Sequence, residues 1–146
     1  MTIRLTKEFS FEMAHLLEGY DGQCSNVHGH SYRLFVTVSG TPNSDSASPK
    51  FGMVMDFTEL KTIVNNLIIS KLDHSLMLRQ GTKIDEALTH VHTKIVHVSC
   101  QPTCENMVIH IAEILNNKLP KNVMLHSLRL YETATSFAEW YASDNK

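Results

Sequence analysis

Ile3-Arg-Leu-Thr-Lys-Glu-Phe-Ser-Phe-Glu-Met-Ala-His15 and His28-Gly-His-Ser-Tyr-Arg-Leu-Phe-Val-Thr-Val38 are the stretches that decide the fold. In the first, Ile3, Leu5, Phe9, Phe11 and Met13 fall on odd positions with mostly polar residues between them, the period-2 pattern of a half-buried strand. His15 continues that parity and shares a face with Phe9, Phe11 and Met13. In the second, His28, His30, Tyr32, Leu34, Val36 and Val38 share one face, because side chains two apart on a strand point the same way. Residues 16–27, with Gly19 and Gly22, read as the loop between them. Paired antiparallel, the two strands bring His15 alongside His28 and His30, with Cys24 in the loop close by.

Working outward, Gly40 to Pro49 is a polar connection, and Met53-Val-Met55 reads as a short strand. Asp56 or Thr58 then caps a helix in which Leu60, Ile63, Val64, Leu67 and Ile68 form one apolar stripe. That helix ends near Leu72-Asp73-His74. Residues 79–92 carry no clear period beyond a helical turn over 85–88, and Lys94 to Val98 reads as a short strand. Thr103 is the expected N-cap of a second helix whose buried face is Met107, Val108, Ile111, Leu115 and Leu119, with Pro120 ending it. Two final strands, Met124 to Tyr131 and Phe137 to Tyr141, meet at the turn 134–136. The expectation is one α+β domain over residues 1–146, with helices on one face of an antiparallel sheet.

Composition narrows the function. The 146 residues are 42% hydrophobic and 19% charged with a net charge of −2, enough for a core and without the basic excess that binds nucleic acid or an anionic membrane. No run approaches a transmembrane span. The residues after Met1 lack the apolar stretch of a secretory signal, and three cysteines cannot all pair, so the expected compartment is the cytoplasm.

The nine histidines matter by clustering. One strand histidine alone is ordinarily tied to a backbone carbonyl. Three on compatible faces beside a cysteine point instead to a metal, and three imidazoles with an open fourth position are the ligand set of a catalytic zinc site more than of copper or iron. Cys24 is either a small buried residue or a thiol whose pKa a nearby dication lowers. Asp73 and His74 at a helix end read as a capping pair, an imidazolium there being favoured by the helix dipole. Glu132 shares parity with Leu128 and Leu130, and a carboxylate on that apolar face needs a partner. Thr103 and Glu105 read equally as capping residues or ligand contacts. A second string, His92-x4-His97-x2-Cys100-x3-Cys104, has zinc-like spacing but mismatched parity; His90, His110 and His126 read as surface or satisfied core residues.

Six segments, in order, resemble the 6-pyruvoyl-tetrahydropterin synthase superfamily. They are Phe9-Ser-Phe-Glu-Met-Ala-His15, Cys24-x3-His28-Gly-His30, Gly52-Met-Val-Met-Asp56-Phe57-x-x-Leu60-Lys61, Leu72-Asp73-His74, Pro102-Thr103-x-Glu105-Asn106 and Glu132-Thr133. The Cys-x3-His-Gly-His spacing resembles the carboxy-tetrahydropterin branch, which serves queuosine biosynthesis, since the pyruvoyl branch has a longer gap. The main departure is the longer stretch between His74 and Pro102.

The resemblance implies the tunnelling fold: a four-stranded antiparallel sheet with two helices on one face, joined into a barrel in a homo-oligomer, either a hexamer built as a dimer of trimers or a trimer. It implies Zn2+ on His15, His28 and His30, Cys24 as the base, Asp73 orienting His74 as proton relay across a subunit boundary, and Glu132 gripping the 2-amino group and N3–H of a pterin. Thr103 and Glu105 would add contacts. The implied reaction is that of a lyase on 7,8-dihydroneopterin triphosphate, giving 6-carboxy-5,6,7,8-tetrahydropterin, acetaldehyde and triphosphate. The rivals are the 6-pyruvoyl product formed without carbon–carbon cleavage, a retro-aldol activity on dihydroneopterin, and a zinc-stabilised interaction domain in which Cys24 is the fourth ligand.

Overall fold

The computed structural model describes residues 1–91 and 94–145. Its strands are β1 (Ile3–His15), β2 (His28–Gly40), β3 (Ser75–Arg79), β4 (Ile95–Val98), β5 (Val123–Tyr131) and β6 (Phe137–Tyr141). β1 and β2 pair antiparallel along their whole length, with Met13 opposite His30 and His15 opposite His28. Alternation fixes this register, because a slip of one residue would turn the buried Phe11, Tyr32, Leu34 and Val36 out to water. β5 pairs antiparallel with β2, shifting register between Thr37 and Val38, and β6 pairs antiparallel with β5.

On the other side of β1 the sheet continues through β3 and β4, both parallel, in the order β4-β3-β1-β2-β5-β6. The expected four-stranded antiparallel sheet is therefore corrected to a mixed six-stranded one, in which β1, β2, β5 and β6 are the antiparallel part. β3 escapes a period-2 reading because both its faces are covered. Met77 faces the main core, and Leu76 and Leu78 face a second cluster, so the strand is a continuous apolar run. The expected strand at Met53–Met55 is corrected as well. These residues bend after a turn that ends at Gly52, which sits at φ 79°, and Val54 and Met55 are buried without pairing to a strand.

The first helix, α1 (Phe57–Val64), is capped by the Asp56 carboxylate, which accepts from Thr58 N at 2.7 Å. It runs through a π turn at Asn65–Ile69 into α2 (Ser70–Leu72). Its buried residues, Leu60, Val64, Ile68 and Leu72, are spaced four apart, a spacing that drifts about 40° per step around an α-helix. The wider π turn takes up that drift and returns Ile68 and Leu72 to the core.

Helix α3 (Lys83–Thr89) is capped by Thr82, and α4 (Cys104–Asn116) by Thr103. The α1–α2 rod and α4 bury Leu60, Val64, Met107, Ile111 and Leu115 against the antiparallel strands, as the helix-on-one-face expectation requires. Truncating a fully buried leucine such as Leu60 or Leu115 to Ala costs about 2–5 kcal/mol. Helix α3 departs from that expectation. Its Ile84 and Leu88 pack with Leu16, Leu76 and Leu78 on the opposite face of the sheet. Among the described residues no helix is long and apolar enough to cross a membrane.

Candidate active site

The last residue of β1 and the first and third residues of β2 carry the three histidines, and the β1–β2 register sets them side by side. His15 is buried, and its Nδ1 donates to the carbonyl of Pro102 at 2.7 Å. His28 Nδ1 donates to the carbonyl of Asn26, also at 2.7 Å. A carbonyl only accepts, so both protons lie on Nδ1 and both Nε2 atoms keep a lone pair. Those two Nε2 atoms stand 3.1 Å apart with no proton to share between them. The third, His30 Nε2, is buried without a hydrogen-bond partner.

The ligand atoms of the three residues lie within 4.8 Å of one another. Three convergent imidazole lone pairs, two fixed by backbone carbonyls, fit a divalent metal held by three nitrogens with room for a fourth ligand. The carbonyl bonds that would make an ordinary strand histidine are present, and here they aim the free nitrogens inward. Burial lowers the pKa of both His15 and His30, against the Pro102 carbonyl bond at His15 and the Glu132 carboxylate at both, and the lowering favours the neutral imidazole that a metal needs.

Glu132, just beyond β5, places Oε1 3.6 Å from His15 Nε2 and 3.8 Å from His30 Nε2. Tyr32 lies fully buried beside them, its hydroxyl 3.5 Å from His15 Nε2. Burial pushes the Tyr32 phenol well up, and Glu132, Cys104 and Cys24 push it further. Cys24 sits in the loop that joins β1 to β2. It is half-buried in the 3-10 turn Gln23–Ser25, which is closed by Leu17 N donating to Cys24 O and Ser25 Oγ donating to Gly22 O, each at 2.8 Å.

The segment before α4 binds these parts together. Thr103 Oγ1 accepts from Asn106 N at 3.3 Å, and the Asn106 amide donates to Gln101 O at 2.9 Å. That cap holds the Pro102 carbonyl on His15. Gln101 Nε2 also donates to Glu18 O at 2.7 Å, which ties the Cys24 loop to the same segment. Thr103 is thus a working cap. Glu105 is exposed and lines a groove with Val108, Ile109, Trp140 and Tyr141.

Asp73 and His74 follow α2 at the corner into β3. Asp73 Oδ1 accepts from Glu12 N at 2.9 Å, and His74 N donates to Glu12 O at 2.6 Å. Both residues are therefore docked on the peptide of one β1 residue, on the side of β1 facing β3. His74 has φ 56°, a left-handed conformation that costs a residue with a Cβ about 1–2 kcal/mol. Its side chain is 79% exposed, with Nε2 3.8 Å from Asp73 Oδ2. A cavity of about 520 Å3 is lined by His74 and Lys94 together with Glu12, Ala14, Gly29, His30 and Ser31, so of the triad only His30 borders the space that His74 meets.

The second zinc-like string is not assembled among its described members. His97 Nε2 bonds Asp85 Oδ1 at 2.7 Å. Cys104 donates to Leu130 O at 3.3 Å, and burial pushes its thiol up to about 11. His92 lies outside the described residues. Sequence reasoning missed the Asn26 and Pro102 carbonyls, Tyr32 beneath the triad, and Lys94. Backbone acceptors leave no mark in a sequence, and Tyr32 read simply as a core residue of β2.

The family model described as 6-pyruvoyl tetrahydropterin synthase matches residues 4–143. The chain is 39% identical over 143 residues to a Haemophilus influenzae protein named 6-carboxy-5,6,7,8-tetrahydropterin synthase, covering 94% of this chain and 97% of that one. It is 33% identical over 141 residues to a Rickettsia typhi protein of the same name, covering 94% and 99%. Its fold is similar to the solved structure of Caenorhabditis elegans 6-pyruvoyl tetrahydropterin synthase, with a TM-score of 0.69 at 23% identity, covering 97% of this chain and 96% of that one.

Proposed function

Because the chain belongs to the 6-pyruvoyl tetrahydropterin synthase family of enzymes, we propose that it is a zinc-dependent lyase acting on 7,8-dihydroneopterin triphosphate, yielding 6-carboxy-5,6,7,8-tetrahydropterin, acetaldehyde and triphosphate. The observation that carries this reading is the convergence of three imidazole Nε2 atoms, two with their protons turned away onto carbonyls, beside a carboxylate and a thiol-bearing loop. The names of the relatives at 30–39% identity favour the carboxy product over the pyruvoyl one.

His15, His28 and His30 hold the zinc. When bound there, zinc supplies Lewis acidity toward oxygens of the substrate side chain, making adjoining C–H bonds more acidic. Cys24 takes the proton from that side chain. Glu132 accepts the pterin 2-amino group and N3–H as a pair, which sets the ring beside the triad. Asp73 orients His74, and His74 relays protons to and from the reacting carbons.

The exposed His74 also suits service across a subunit boundary. β1 pairs with β3 only at Met13–His15, and β6 pairs with β5 alone, so both antiparallel outer edges are open to another chain among the described residues. Sheets joined through these edges into a barrel, as a trimer or a dimer of trimers, would cover them.

The reading is tested by incubating the zinc-loaded protein with 7,8-dihydroneopterin triphosphate and assaying acetaldehyde and pterin together. Equal amounts of acetaldehyde and 6-carboxy-tetrahydropterin are expected. A 6-pyruvoyl product without acetaldehyde would overturn the carboxy assignment. Absence of any turnover by the fully loaded protein would favour the interaction domain.

A further inference from the structure

We infer that Lys94 is a positioning residue for the Asp73–His74 pair, acting from the stretch between His74 and Pro102 in which this chain departs from the family pattern. The inference rests on the relay role proposed above for His74. Lys94 Nζ donates to two carbonyls at once, Ser70 O at 2.9 Å and Asp73 O at 2.5 Å. The first belongs to the last helical turn, whose carbonyls have no partner within the helix and carry the negative end of its dipole. The second belongs to the peptide that joins Asp73 to His74.

From the helix side Asp73 is also tethered by its own amide, which donates to Ile69 O at 2.9 Å, while the Asp73 carbonyl is left to Lys94. Asp73 leaves the helix in an extended conformation, at φ −63° and ψ 129°, and His74 turns left-handed at φ 56°. On the sheet side Glu12 fixes the Asp73 carboxylate and the His74 amide. On the helix side the Lys94 ammonium fixes the Asp73 carbonyl. With both sides pinned, the imidazole of His74 is free to move mainly about its own side-chain bonds, although it is largely exposed.

Lys94 is itself anchored through its backbone, since Leu76 N donates to Lys94 O at 3.0 Å. Any residue at this position keeps that bond, so a substitution isolates the side chain. Placement of a proton-transfer group is worth much in rate, and a displacement of about 1 Å costs up to about 100-fold.

The test is a set of variants assayed on the zinc-loaded protein. Lys94→Met is expected to lower kcat by about 10- to 100-fold, with KM within about twofold and metal content unchanged. Lys94→Arg, whose guanidinium also reaches two carbonyls, is expected to restore most of kcat. In a His74→Ala background Lys94→Met is expected to add no further loss, because it acts through the imidazole. Wild-type kcat in Lys94→Met, or an equal loss with and without His74, overturns the inference while leaving the relay intact. Wild-type turnover in His74→Ala overturns the relay reading, and this inference with it.

Discussion

The two corners to which the proposed function assigns the chemistry are built in opposite ways. The triad is set by sheet register: His15 faces His28 across β1 and β2, is buried, and has its spare nitrogen bonded to a backbone carbonyl. The Asp73–His74 corner is set by a helix end. It is exposed, left-handed at His74, and held by one peptide of β1 and one ammonium. A metal needs three donors fixed before it arrives, and a sheet supplies that rigidity. The proposed proton relay would have to reach a substrate that comes and goes, and a pinned corner with an exposed imidazole suits that freedom.

The largest effect that would break this contrast is expected at the triad. His28→Ala should lower zinc affinity by at least about 100-fold and abolish turnover, read by metal content after dialysis. Full zinc occupancy in that variant would mean that the metal lies elsewhere.

Cys24→Ala should lower turnover by about 1,000-fold, within the range expected for loss of a proton-transfer group, with zinc retained. Zinc lost together with activity would make the thiol a ligand.

His74→Gly sharpens the contrast, because glycine adopts the left-handed conformation without the Cβ penalty. Turnover should fall by about 100-fold while the melting temperature holds or rises by a few degrees. A fall in melting temperature would show that the imidazole is structural.

The smallest effect is expected at a control far from the chemistry. Asp85 clasps His97 and accepts from Gly81 N, and these bonds, that to Gly81 foremost, hold its carboxyl below the usual range. Its contribution to stability is therefore present above the ordinary carboxylate pKa of about 3.9 and is lost as pH falls through the lower folded value. Asp85→Asn should remove that acid-dependent step from the melting profile and leave turnover unchanged. A changed kcat would tie α3 to catalysis.

Strict alternation made β1 and β2 legible from sequence, and with them the face shared by His15, His28 and His30. Both main helices were legible from their apolar spacing, as were the caps at Asp56 and Thr103. β3 was not, because burial on both faces turns Leu76-Met77-Leu78 into an apolar run that looks like the tail of the preceding helix. Met53-Val54-Met55 misled for the converse reason: two of its residues are buried, but as a plug without a strand neighbour. In the site, side chains declared themselves through parity and motif. The Pro102 carbonyl that fixes the His15 tautomer, and the Lys94 ammonium that reaches back to the corner before β3, depend on contacts across 87 and 21 residues. No local pattern encodes these.

X-ray absorption at the zinc edge of the loaded protein tests the central claim most directly. The account predicts three imidazole nitrogens at about 2.0–2.1 Å and one further light atom, with no sulfur. A sulfur at about 2.3 Å would close the site with Cys24 and contradict it.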